Sequence, residues 1–352
     1  MSKLMKKDFK VVENFKWFAI LSLVVFVAGI IMMIVPGMNI GIDYAGGAKV
    51  EVELGAFADN DAVINEFETQ ITKFVEDKGY SIADKMQVSP NTDGGVTYEF
   101  RLEYVMNGKR IDTSDIDAQQ EFSDALTGDM DDAEDKGLIG EIEAEIIKMF
   151  GENNTFKSAG AYYDADSIRA YTVGATASQT LLTSTIWAIL AAIVVILIYI
   201  IFRFTLSSGL AAICALAHDI FFMVALTTVF QIPVNSTFIA AAITIIGYSI
   251  NATIVIFDKV RECKKSTAFA YATDAEIANY AVKHSAVKIL LSTLTTLIMV
   301  VALVIFSVST IQEFIWPIIF GLVGGTYSSL FLSPSVWVFF KKIGAKIKAK
   351  KA

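Results

Sequence analysis

Ala242-Ile-Thr-Ile-Ile-Gly247-Tyr248-Ser249-Ile-Asn251-Ala252-Thr253-Ile-Val-Ile-Phe257-Asp258-Lys-Val-Arg261-Glu262 decides how the chain folds. Twenty residues, Phe238 to Phe257, carry no charge and are long enough to cross a bilayer as a helix. Gly, Tyr, Ser, Asn and Thr nevertheless crowd the half that runs toward Asp258. An unpaired polar group in hydrocarbon costs free energy, so a helix facing only lipid has no use for Asn251. The polar face is expected to meet protein or a water path. That argues against a simple anchor and for a helix bundle in which something moves.

Outward from this run, the mean hydropathy is +0.54, more apolar than a soluble domain needs. Six stretches satisfy the membrane-span criterion: 17–35, 183–202, 209–230, 238–257, 289–307 and 314–340. A polar segment of roughly 140 residues separates the first from the second. Residues 37–182 hold 29 of the 37 acids and 11 of the 29 bases, a net charge of −18, whereas the rest of the chain is net +10. The bases cluster at Lys3 to Lys16, at Arg203, at Lys259 to Lys265 with Lys283 and Lys288, and at Lys341 to Lys351. Six spans put all of them on one side, and short basic loops stay cytosolic.

The expected organisation follows. Residues 1–16 form a cytosolic N-terminus, 17–36 the first transmembrane helix, and 37–182 an extracytoplasmic α+β domain. Residues 183–340 form helices two to six, and 341–352 a basic cytosolic tail. The protein is thus a multi-pass α-helical protein of the plasma (inner) membrane. Its whole-chain charge of −8 hides the split and gives no reason to expect a nucleic-acid partner. The first span reads as a retained helix ending at Val35-Pro36-Gly37. Its apolar run is longer than a signal core, and no small-residue cleavage site follows. Cys214 falls in a span and Cys263 in a cytosolic loop, so the external domain has no disulfide framework.

Within that domain, Lys49 to Leu54 alternates as a half-buried strand. Asp61 to Asp77 has helical apolar spacing through Val63, Ile64, Phe67, Ile71, Phe74 and Val75, capped by Asn60 or Asp61. Gly95 to Met106 reads as one strand leading into an Asn107-Gly108 hairpin turn. Leu138 to Phe150 is a second helix. The mixture suggests an α+β sandwich, with the ferredoxin-like type as its specific form. Asp112 to Asp135 reads as a solvated loop or helix face. A Ca²⁺ site at Asp129, Asp131 and Asp132 is the alternative, although the spacing does not match an EF-hand loop.

His218-Asp219 is the second signal. Asp219 lies about ten residues from either end of its span, roughly 15 Å from each interface. A charge there costs at least ~2.5 kcal/mol on insertion scales and should face a partner or a cavity. It serves either as a proton or ion relay or as a polar knot that pins neighbouring helices. His218 is rotated about 100° from Asp219, so the ring and the carboxylate need not touch. Lys288, at the cytosolic edge of the fifth span, either snorkels to the interface or balances an intramembrane carboxylate. The last span is broken by glycine, and Gly321 and Gly325 permit close helix approach. The basic tail fits anionic lipid headgroups. Two distant histidines, no metal-spaced Cys/His set, no nucleophile elbow and no phosphate-cradling loop make an enzyme, a metal or a cofactor unexpected.

These residues together resemble the SecF branch of the SecD/SecF family of protein-export membrane proteins. Gly41-Ile42-Asp43-Tyr44-Ala45-Gly46-Gly47 is like the family's GIDFxGG motif, and Ala215-Leu-Ala-His218-Asp219 is like its LAHD motif. The run from Gly247 to Glu262, with Asp258 and Arg261, is similar to GYSxNDTxVxFDRxRE. The resemblance implies one six-helix half of an RND-type, proton-driven machine that pairs with a SecD-like half beside the Sec channel. It uses the proton-motive force to pull polypeptide outward, and a YidC-type insertase is a further implied partner. One departure stands out: the family's carboxylate after Asn251 is Ala252 here. In the family that carboxylate carries protons and works with a basic residue aligned with Lys288. Four accounts of the alanine stay open: a SecD-borne acid carries the cycle, Asp219 takes a larger part, the chain is a proton-independent scaffold, or the residue was engineered.

Overall fold

Alternation in Lys49-Val50-Glu51-Val52 lets a strand bury every second side chain. In the computed structural model Ala48, Val50 and Val52 are buried, while Lys49 on the opposite face bridges Glu51 at 3.0 Å and Glu99 at 2.8 Å. The structure describes residues 10–54, 61–82, 87–90, 96–111, 115–128, 137–152, 168–173, 175–306 and 309–351. They divide into two units, one of Ile40–Thr185 with Phe306–Thr310, the other of Met1–Asn39, Ile186–Ile305 and Ile311–Ala352.

The first of these units follows helix α1 (Phe15–Ile34). It contains a single turn α2 (Ile42–Ala45), β1 (Gly47–Leu54), α3 (Asp61–Asp77), β2 (Gln87–Pro90) and β3 (Val96–Leu102). A small hairpin of β4 (Val105–Met106) and β5 (Lys109–Arg110) comes next, then α4 (Ile116–Thr127), α5 (Gly137–Glu152) and β6 (Ile168–Val173). The sheet order is β2-β3-β1-β6 with every neighbouring pair antiparallel, which is the strand order of the ferredoxin-like sandwich. Val63, Phe67, Ile71 and Val75 recur every four residues along α3 and pack on Tyr98, Phe100 and Leu102. Ile142 and Ile146 of α5 complete the same core.

Two details differ from the sequence reading. The strand expected over Gly95–Met106 is two pieces, because the chain leaves the sheet after Leu102. Tyr104 turns its ring onto Phe122 at 4.9 Å and donates its hydroxyl to the Val173 carbonyl at 2.7 Å. Asn107 (φ 53°) and Gly108 (φ 71°) then form the hairpin turn with two positive φ angles. The acidic stretch after Asp112 is in part a core element. Asp115 caps α4 by accepting from the Asp117 and Ala118 amides, and Phe122 and Leu126 are fully buried. Asp129, Asp131 and Asp132 lie outside the described residues. Among the described residues no group of three His, Cys, Asp or Glu could hold a metal.

The other unit holds α1, the part of α6 (Ala175–Arg203) from Ile186 onward, α7 (Leu206–Val229), α8 (Ser236–Lys265) and α9 (Asp274–Phe306) up to Ile305. It ends with α10 (Ser309–Tyr327), a π-helical stretch Ser328–Leu332 and α11 (Ser333–Lys351). Six segments are long and apolar enough to cross a membrane. α8 and α9 overrun their apolar cores, so a short turn joins them. Thr273 and Glu276 close the start of α9 reciprocally: the Thr273 amide donates to the Glu276 carboxylate at 2.7 Å, and the Glu276 amide donates to Thr273 Oγ1 at 3.3 Å.

The last span is not broken at its glycines. Helix continues through Gly321, Gly324 and Gly325, and the irregularity is the π stretch that follows, where Ser328 donates to the Gly325 carbonyl at 3.2 Å. A Cβ on Gly321 would stand 2.5 Å from Ile245, and one on Gly325 would stand 3.0 Å from Ser249. Both glycines therefore let α8 approach the last span closely.

Candidate functional site

Small residues Ala211, Ala212 and Ala215 line the buried side of α7, drawing neighbouring helices close to His218 and Asp219. Asp219 is 1% exposed. Its Oδ1 lies 3.0 Å from His218 Nδ1, and its Oδ2 accepts from Ser249 Oγ on α8. The other ring nitrogen of His218, Nε2, lies 2.9 Å from Ser22 Oγ on α1. Ser22, His218, Asp219 and Ser249 thus form one hydrogen-bonded chain across three membrane helices. Rotation about the helix left open whether the ring and the carboxylate meet; here the short reach between adjacent residues closes the contact.

Around this chain the hydroxyl groups pair across helices. Tyr248 donates to Thr293 Oγ1 at 3.2 Å, Thr293 and Thr326 lie 2.7 Å apart, and Thr253 and Ser329 lie 2.9 Å apart. Tyr327 donates to the Phe18 carbonyl at 2.6 Å. Ser249 and Thr253, four residues apart, face the same way into the bundle, as helical spacing requires.

Asn251 does not follow them. Two residues from Ser249 is about 200° around the helix, and Asn251 is exposed together with Thr244 and Gly247. Within this chain the polar face is therefore split: Ser249 and Thr253 meet other helices, and Asn251 is left on the outer face. Ala252 is buried, in the same apolar cluster as Ile289 and Leu330. Lys288 is exposed and makes no ion pair with any described residue.

Other predicted residues stand apart. Gly41, Asp43, Gly46 and Gly47 belong to the α+β unit. Gly46 (φ 72°) and Gly47 (φ 119°) have backbones that favour glycine, and a Cβ on Gly47 would meet the Leu102 carbonyl at 2.6 Å. That motif shapes the entry to β1. Arg261 pairs with Asp258 at 3.2 Å and Lys259 with Glu262 at 2.8 Å, along the last turns of α8. Cys214 is exposed and Cys263 buried.

Sequence reasoning missed Ser22, a single hydroxyl in an otherwise apolar helix; that isolation was the available signal. It also missed Glu313, which is buried near the start of α10 and accepts from the Asn235 side chain. Its place near the end of a span made it look interfacial.

Comparison with known proteins agrees with the architecture. Residues 153–343 match the family described as "Protein export membrane protein SecD/SecF, C-terminal". Over 327 residues the chain is 31% identical to the protein translocase subunit SecDF of Bacillus subtilis, covering 93% of this chain and 37% of that protein. Borreliella burgdorferi SecF is 38% identical over 175 residues, covering 49% of this chain and 58% of its own length. Alicyclobacillus acidocaldarius SecF is 28% identical over 343 residues, covering 97% of this chain and 96% of that protein. The crystal structure of SecDF from Thermus thermophilus, a translocon-associated membrane protein, superposes with a TM-score of 0.69 at 22% identity. It covers 96% of this chain and 39% of that one. The chain therefore spans just over a third of the SecDF proteins it matches and almost the whole of the Alicyclobacillus SecF. With more than half of its length matched to the family, this membrane protein belongs to the SecD/SecF family of protein-export membrane proteins.

Proposed function

We propose that the chain is a SecF-type subunit that promotes protein export across the plasma membrane, with proton movement through the Ser22–His218–Asp219–Ser249 chain coupled to the work. The observation that carries this reading is the buried Asp219, hydrogen-bonded to a histidine and a serine in mid-span. An intramembrane carboxylate is costly and is retained where it binds ions or protons. Both termini and the loops rich in lysine are cytosolic, and the α+β unit lies outside, where it meets the translocating polypeptide.

The partner is a SecD-like chain beside the Sec channel. Asn251 on α8 is exposed although it sits within a candidate span. Polar side chains at that depth need protein rather than lipid around them. Anionic lipids around the basic end and a YidC-type insertase complete the proposed surroundings. The order Ser22–His218–Asp219 is that of a nucleophile triad. Yet Ser22 lies inside α1, where neighbouring amides are bonded along the helix and no donor pair is free for an oxyanion, so the subunit is read as having no enzymatic activity.

A second reading is a proton-independent scaffold, favoured by the methyl group of Ala252 at the place where its relatives are expected to have a carboxylate. The experiment is co-purification with a SecD-like chain, followed by disulfide crosslinking from cysteines placed at Gly247 and Asn251. Crosslinks to the companion support the paired machine. A monomer with no crosslink contradicts both readings. Export that rises in Ala252→Asp cells rejects the scaffold, and unchanged export supports it.

A further inference from the structure

A groove of about 250 Å³ runs between α1, α7 and α11. On α1 it is lined from Phe15 to Phe26, eleven residues apart and so about 16 Å long, close to half of a ~30 Å hydrocarbon core. Its walls are almost wholly apolar, with Ala19, Leu23, Cys214 and Val336 among them, and its polar floor is Ser22 and His218 of the relay. At its Phe15 end the sequence supplies Lys16 next to Phe15 and Lys10 five residues before it. The chain around Val11 packs in one cluster with Trp337, whose ring carries Lys341 at 6.0 Å. One end of an apolar groove, about half a hydrocarbon core long, thus lies beside basic residues, and the other ends on a histidine.

We propose that the groove binds one acyl chain of an anionic phospholipid from the leaflet at the basic end, with the phosphate among Lys10, Lys16 and Lys341. The buried chain keeps water from Ser22 and His218, so lipid occupancy sets whether this side of the relay is open. The inference rests on the membrane reading above. It is tested on purified protein without reference to export, so its failure and that of the export reading are distinguishable.

Cys214 is the built-in reporter. In full-length protein carrying Cys263→Ser, stripped of lipid in detergent, a hydrophilic maleimide is expected to label Cys214 readily. Adding phosphatidylglycerol should slow labelling about tenfold, and phosphatidylcholine with the same chains should slow it much less. Leu23→Trp, at an exposed position that fills the groove, should abolish retention of lipid in native mass spectrometry. Lys16→Glu, also at an exposed position, should erase the preference for the anionic headgroup and keeps the test decisive if Leu23→Trp does not fold. The proposal is overturned by equal labelling with and without lipid, by equal protection from the two headgroups, or by protection that appears only with a companion chain.

Discussion

His218 Nδ1 and Asp219 Oδ1 lie 3.0 Å apart on consecutive residues of one helix, and the same imidazole reaches Ser22 on another helix at 2.9 Å. An imidazole so placed touches the carboxylate with one nitrogen and a hydroxyl with the other, the arrangement required to pass a proton between them. Its tautomer decides the direction in which each bond donates. Phe222 stacks on the ring at 5.7 Å and Phe26 tilts against it at 5.2 Å, so the imidazole is held in place by apolar neighbours.

Glycine at 321 is required by Ile245. Gly321→Ala would put its Cβ 2.5 Å from the Ile245 side chain and is expected to destabilise the bundle by about 1–3 kcal/mol through overpacking. Ile245→Ala removes the two nearest colliding atoms, Cγ1 and Cγ2, and costs about 2–5 kcal/mol alone. The double variant should be more stable than the sum of the two losses. Thermal unfolding of the four proteins in detergent measures the coupling; strict additivity would show that the two residues do not oppose each other.

Tyr98 gives the α+β unit an alkaline limit. Its ring is fully buried, its hydroxyl has no hydrogen-bond partner among the described residues, and burial pushes its pKa up to about 12. In the unfolded chain the phenol ionises near 10. Below that pH both states hold the proton and stability is unaffected. Between about 10 and 12 the unfolded state loses it first, so stability falls by about 2–3 kcal/mol. Tyr98→Phe should remove this loss and, by deleting an unpaired buried hydroxyl, raise stability near neutral pH by about 1 kcal/mol. Unfolding midpoints at pH 7 and pH 11 compare the two proteins; an identical alkaline drop in the variant would refute the assignment.

Asn279 fastens the chain before α1 to the start of α9. Its Oδ1 accepts from the Val11 and Val12 amides at 2.9 and 3.1 Å, and its Nδ2 donates to Glu13 at 2.9 Å. Asn279→Leu loses all of these bonds and should release the segment, at a cost of about 1–3 kcal/mol for its local docking. Limited proteolysis is expected to cut before Phe15 faster in the variant; equal cutting rates would show that the bonds do not hold the segment.

Much of this was legible from the residues. Six apolar runs sufficed for the spans because hydrocarbon leaves helices as the only single-chain open option. Alternation at Lys49–Leu54 and fourfold spacing from Val63 to Val75 foretold the sheet face and its covering helix. Asp219 announced itself because a mid-span charge has few uses. The rest depends on rotation and partnership. Asn251 shares its helix with Ser249 but faces the other way, and composition does not carry that phase. Ser22 became part of the site only because α1 packs on α7, where a Cβ on Gly29 would stand 2.4 Å from that of Ala225. The π stretch at Ser328–Leu332 has no pattern of its own; in it Ser328 bonds back to the Gly325 carbonyl of the same helix and Ser329 pairs with Thr253 of α8.

Secretion driven by the proton-motive force, in cells whose export depends on this chain, tests the relay most directly when Asp219→Asn replaces the native residue. The asparagine keeps the shape and a hydrogen-bonding side chain but cannot carry a charge. The account predicts normal membrane levels of the subunit, with the export that responds to the proton gradient reduced about tenfold or more. Undiminished gradient-dependent export with the asparagine in place would contradict it.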